Sequence, residues 1–147
     1  MKIERILYPT DFSAKSESAR EHAIYMAQSL NSSLDLLHAI EPLDYDEMDE
    51  EIIDFYKGLE NQLEKKMEAE KEIFQKADLK IRSEIIIGSR WKVINNYAKE
   101  NNIDLIIMGS HGVRNEAGDI SIGTTSHKVM FSSPCPVLIV RHEVSPI

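Results

Sequence analysis

Gly109, Ser110, His111 and Gly112 follow directly on an apolar run, Leu105 to Met108. Ten residues later, Gly123, Thr124, Thr125 and Ser126 open a helix-like stretch. Glycine lets the main chain approach an anion closely, and the first N–H groups of a helix have no partners within it. A buried strand, a glycine turn and a hydroxyl-rich helix start are what a backbone site for phosphate requires. This segment points to nucleotide binding and says nothing of turnover.

Three other turns could join it: Pro9, Thr10 and Asp11; Ala39, Ile40 and Glu41; and Gly88, Ser89 and Arg90. Each follows an apolar run. In an open parallel sheet, ligands bind at the carboxyl ends of the strands where the winding direction switches. The four turns would then share one edge. Arg90 and Arg114 are the cations expected nearest a phosphate.

Competing chemistries fit less well. Gly118 to Thr125 approaches a P-loop, but Thr124 stands where the phosphate-binding lysine belongs. Neither G-x-G-x-x-G nor G-x-S-x-G occurs. A hydrolase built on Ser110, His111 and Asp11 would have its serine and histidine adjacent in sequence, so turn and lining roles fit better. His38 reads as a buried or half-buried structural residue in a strand. His127 and His142 have no partner at metal-ligand spacing. Cys135 lies between two prolines and reads as packing, as does Trp91 at a helix start.

The elements that must position these residues alternate regularly. Strand-like runs are Ile3 to Tyr8, Leu34 to Ile40, Ile81 to Ile87, Asp104 to Met108 and Pro136 to Arg141. The first helix spans Ser16 to Leu30 on the stripe Ala19, Ala23, Met26, Ala27 and Leu30, with Ser13 as its N-cap. A long helix starts inside the acidic stretch Leu43 to Asp54 and carries Ile52, Tyr56, Leu59, Leu63, Met67, Phe74 and Ala77 on one stripe. Those carboxylates suit the positive end of a helix dipole and read as a solvated helix start rather than a metal site. Val93, Ile94, Tyr97 and Ala98 mark a third helix, ended by Asn101 and Asn102, and the last runs near Thr124 to Phe131. Strands alternating with helices indicate a parallel sheet covered on both faces.

The whole chain sets limits on these readings. Its 147 residues suit one α/β domain spanning 1–147. A net charge of -8 argues against nonspecific nucleic-acid binding, which depends on Lys and Arg. No apolar stretch approaches the roughly 20 residues of a membrane helix. One cysteine and no signal-peptide pattern make a cytoplasmic location the expectation.

ILYPTDFS, LLHAIEP, IIIGS, IIMGSHG and SSPCPVLIV together resemble the universal stress protein family across nearly the whole chain. The resemblance implies an open five-stranded parallel sheet with helices on both faces, Rossmann-like and adenine nucleotide alpha hydrolase-like. It also implies a homodimer joined through the last strand, here Pro136 to Arg141. Members that bind ATP carry two glycines separated by two residues, then nine residues, then Gly and Ser or Thr. Gly109, Gly112, Gly123 and Thr124 match, with ten residues in the gap, including Glu116 and Asp119. Trp91 stands where many members have proline.

By the same resemblance, Pro9, Thr10 and Asp11 face adenine and ribose, and Ala39 lines the adenine pocket. Met108 and Gly109 lie under the ribose beside His111. Gly112, Gly123, Thr124 and Thr125 cradle the phosphates of ATP or another adenine nucleotide. Mg or Mn would ride on the phosphates. With no evident general base, ATPase activity should be slow at most, and the protein should act as a regulatory or stress-response factor. The alternative keeps the dimer without nucleotide and uses the Val113 to Ile122 loop for unknown protein partners.

Overall fold

The computed structural model describes residues 1–42, 50–110, 113–114, 120–121 and 123–141. Five parallel strands form one sheet: β1 (Arg5–Pro9), β2 (Ser33–Ile40), β3 (Ile81–Ile87), β4 (Leu105–Ser110) and β7 (Val137–Arg141). A second, two-stranded sheet pairs β5 (Val113–Arg114) with β6 (Ile120–Ser121) in antiparallel fashion. The large sheet runs β3-β2-β1-β4-β7. The chain winds outward from β1 to β3, then returns to the other side of β1. The winding direction therefore switches between β1 and β4.

Helices cover both faces, and side-chain alternation along each strand explains how. Ile6, Tyr8, Leu34, Leu36, Leu105 and Ile107 point to one face. There they meet Ala19, Ala23 and Ala27 of α1 (Glu17–Leu30) and Met67 and Phe74 of α2 (Glu50–Gln75). Three alanines on one stripe let α1 lie close to the sheet. Leu7, Leu37, Ile106 and Met108 point to the other face. They meet Val93, Ile94, Tyr97 and Ala98 of α3 (Arg90–Glu100) and Val129 of α4 (Thr124–Ser132). Burial on both faces is why these strands read as continuous apolar runs rather than alternating ones. Among the described residues no helix is long and apolar enough to cross a membrane.

Several boundaries differ from the sequence expectation. β1 starts at Arg5 rather than Ile3 because the Asp104 carboxylate accepts the N–H groups of Glu4 (2.9 Å) and Arg5 (3.0 Å). Asp104 therefore lies just outside β4 instead of opening it. β4 continues through Gly109 and Ser110, which pair with Val140 and Arg141. Ser13 does not cap α1. A 3-10 turn, Ala14–Ser16, precedes the helix, and among the described residues the buried Ser13 hydroxyl has no hydrogen-bond partner. Asp11 braces the turn ahead of the helix instead: its Oδ1 accepts from the Ser13 N–H and the Ser16 hydroxyl, both at 2.9 Å. Val113 to Ile122 was expected to be a plain loop, yet its ends pair as β5 and β6. Most of the acidic stretch before α2, residues 43–49, lies outside the described residues.

Candidate functional site

β1 ends at Pro9, and the next turn is held by side chains. The Thr10 N–H donates to the Leu37 carbonyl (2.9 Å), and the Thr10 hydroxyl accepts the Phe12 N–H (3.0 Å). Phe12 sits at φ 63°, a left-handed conformation that costs a non-glycine residue roughly 1–2 kcal/mol. His38 on β2 secures this turn from below. Its Nδ1–H donates to the Thr10 carbonyl at 2.7 Å, and its ring stacks on Phe12 with centroids 4.5 Å apart. The sequence had placed His38 as structural, and it is a half-buried clamp on the turn.

His38 resists protonation. Burial is the main cause of its lowered pKa, with the positive charges of Arg90 and Lys66 adding to it. The Thr10 carbonyl and the Asp11 carboxylate pull the other way. Above its ordinary value of 6.5 the ring is neutral in both folded and unfolded chains. As pH falls through that value, the unfolded chain takes up a proton that the folded chain refuses, so stability declines until the folded ring titrates. Urea midpoints between pH 7.5 and 5.5 should therefore fall less in His38→Gln than in the wild type. Identical slopes would remove His38 from the pH response.

An open cleft lies beside this turn, at the switch between β1 and β4, with a narrow interior of about 70 Å³. Pro9, Thr10 and Asp11 form one side, and Met108 and Gly109 of β4 another. Leu37, His38 and Ala39 come from β2, and Arg90 and Ile94 from α3. The walls are mostly apolar with a few polar groups, as small-molecule sites require. Thr125 and Ser126 of α4 close the cleft and also line an adjoining, wider mouth. That mouth adds Ser13, Ala14 and Lys15 from the turn before α1, and Gly123 and Thr124 from the start of α4.

Local geometry explains why α4 points here. Gly123 is its N-cap at φ -65° and ψ 153°, with no side-chain cap. The buried Ser126 hydroxyl donates to the Gly109 carbonyl at 2.8 Å, which fixes the helix start to the end of β4. Gly88 does the same for α3. A Cβ there would lie 2.8 Å from Val93 Cγ2, so glycine lets α3 begin tight against the sheet and brings Arg90 to the cleft.

Of the expected site residues, Pro9, Thr10, Asp11, Ala39, Met108, Gly109 and Thr125 line the cleft, and Gly123 and Thr124 line the mouth. His111 and Gly112 lie outside the described residues, as does the Arg114 side chain. Sequence reasoning missed the apolar walls Leu37 and Ile94, the tie made by Ser126, and Lys15. The hydroxyl run after Gly123 was a usable signal for Ser126; nothing local marked Lys15. Trp91 packs against the core on the α3 side, with Lys92 Nζ 5.6 Å from its ring centroid. Cys135 packs against the same cluster, and burial pushes its thiol pKa up, away from a reactive thiolate. Among the described residues, no group of three or more His, Cys, Asp or Glu is placed to hold a metal ion.

Residues 2–141 match the Universal stress protein family. The universal stress protein MJ0577 of Methanocaldococcus jannaschii is 30% identical, with 97% of each chain covered. Its solved structure superposes with a TM-score of 0.87 over 99% of this chain and 100% of that one. A universal stress protein in complex with cAMP has 20% identity and a TM-score of 0.74, covering 97% of this chain and 100% of its own. The Archaeoglobus fulgidus universal stress protein in complex with dAMP has 15% identity and a TM-score of 0.67, covering 95% and 98%. At those last two identities the likeness is one of fold.

Proposed function

The chain belongs to the universal stress protein family, and from that premise we propose that its cleft binds an adenine nucleotide, with ATP as the preferred ligand. One observation carries the reading: a small, largely apolar cleft opens directly onto a helix start rich in hydroxyls. Leu37, Ala39, Ile94 and Met108 offer a base an apolar slot. Gly109, Thr125 and Ser126 lie where the slot meets the start of α4, whose first N–H groups suit phosphate. The fold neighbours in complex with cAMP and dAMP support adenine as the common element. Mg or Mn would be carried on the phosphates, since the residues around the mouth offer hydroxyls and cations rather than a cage of oxygens.

Binding serves regulation in this reading, and turnover is slow at most. Asp11, a carboxylate lining the cleft, is already engaged by the Ser13 N–H and the Ser16 hydroxyl in the turn before the first helix. The protein works as a homodimer joined edge to edge through Val137–Arg141. β7 is an edge strand bonded to β4 on one side, and Val137, Leu138 and Ile139 remain half-exposed.

Calorimetry with ATP, with and without Mg, on protein stripped of nucleotide tests the first part. Ala39→Trp, which fills the slot, should weaken ATP by at least about tenfold while the chain stays folded by circular dichroism. Absence of binding at millimolar ATP would sink the nucleotide reading and leave a dimeric interaction module.

A further inference from the structure

The mouth beside the cleft is positive in a protein that is otherwise acidic. The chain carries a net charge of -8. Yet the charged residues lining the mouth are Lys15, Arg90 and Asp11. Asp11 faces its own turn, where its Oδ1 accepts two hydrogen bonds. Lys15 and Arg90 are exposed and form no ion pair among the described residues.

The three helix starts near this mouth are not alike. α1 carries Glu17 in its first turn, and at the start of α3 the Glu41 carboxylate accepts the Arg90 N–H at 3.4 Å. α4 has no acidic residue in its first turn. Helix starts carry partial positive charge and are normally stabilised by carboxylates. Among the described residues, the buried Ser13 hydroxyl on the same wall has no hydrogen-bond partner. The start of α4 beside two unpaired cations favours an anion.

The two cations also differ in depth. Arg90 lines both the cleft and the mouth, whereas Lys15 lines the mouth alone. We infer that Lys15 and Arg90 act as a charge ruler that selects nucleoside triphosphates over monophosphates. Arg90 sits at the junction and meets the phosphate nearest the nucleoside. Lys15 sits farther out and meets the charge of the terminal phosphates. This rests on the adenine-nucleotide reading of the cleft and assigns its ligand class within that reading.

The test is calorimetry of wild type, Lys15→Ala, Lys15→Arg and Arg90→Ala with ATP, AMP and inorganic tripolyphosphate at low salt. Both residues are exposed, so an unchanged melting temperature should accompany each variant. Wild type should bind ATP more tightly than AMP. Lys15→Ala should weaken ATP roughly fivefold and leave AMP unchanged, and Lys15→Arg should restore ATP. Arg90→Ala should weaken both nucleotides. Equal losses for ATP and AMP in Lys15→Ala, or no loss for ATP, would overturn the ruler while leaving the adenine reading intact. Tripolyphosphate binding that depends on both cations, with no adenine compound bound, would overturn the adenine reading and uphold the pair as a polyphosphate clamp. No binding of any of the three would overturn both.

Discussion

Replacing Asp35 with alanine should lower folding stability by about 3–5 kcal/mol, the range for breaking a buried charge network by removing one partner. Asp35 lies on β2 with its side chain 1% exposed. Its carboxylate accepts hydrogen bonds from Arg5 (2.8 Å), Arg82 (2.9 Å) and the Tyr97 hydroxyl (2.7 Å). Without it, the buried Tyr97 hydroxyl loses its acceptor, and Arg5 keeps only the Asn101 carbonyl. The Tyr97 proton is held firmly at present: burial raises its pKa, and the bond to Asp35 raises it further. Arg82 is different. Its side chain is 59% exposed and can hydrate when released, so Arg82→Ala should cost less than about 1 kcal/mol. For a chain of this length, the Asp35→Ala loss corresponds to a melting-temperature drop on the order of 10 °C. Urea denaturation of the two variants side by side checks the asymmetry. Equal and small losses would mean that the network is solvated and contributes little.

Asp35 also shows why part of this molecule was hidden in its sequence. It interrupts an apolar strand and looks like an outward-facing polar residue. Its partners lie 30, 47 and 62 residues away, so no local pattern reveals them. The strands themselves were legible because burial on both faces writes a run of Val, Ile and Leu, and β3 falls at Ile81–Ile87 as read. The turns at the strand ends were legible because glycine and proline punctuate them. Their fine structure was not. Ser13 is a good capping residue, but a left-handed Phe12 and an Asp11 bond to the Ser13 N–H build a turn ahead of the helix, and Ser13 makes no cap. Ile94 and Leu37 looked like ordinary core, and only the sheet order shows that they reach the cleft. Lys15 shares its mouth with Arg90 and the start of α4, residues far along the chain, so no local pattern marks it.

Ile139→Pro should convert the proposed homodimer to a monomer. The ladder of β7 with β4 fixes which groups are free. The Ile106 N–H donates to the Pro136 carbonyl, and Ile106 stands opposite Val137. In a parallel pair, alternate residues then serve the same neighbour, so Leu138 and Val140 bond to β4. The N–H groups of Val137 and Ile139 point to the open edge. Proline at 139 removes one of these and leaves the β4 ladder whole, and edge strands accept proline for that reason. In a two-fold dimer the same strand pairs with its own copy, so each substitution is felt twice. Weakening of about a hundredfold or more follows, read by light scattering across a dilution series. Met130 and Phe131, 45% and 74% exposed on α4, are the apolar residues that the partner would be expected to cover. Leu138→Pro supplies the contrast: it breaks the β4 ladder and should unfold the chain rather than only dissociate it. A dimer that survives Ile139→Pro at micromolar concentration would place the interface elsewhere and leave the β7 edge exposed. An apolar edge of that kind invites aggregation, so the same variant should then show no gain in solubility over the wild type.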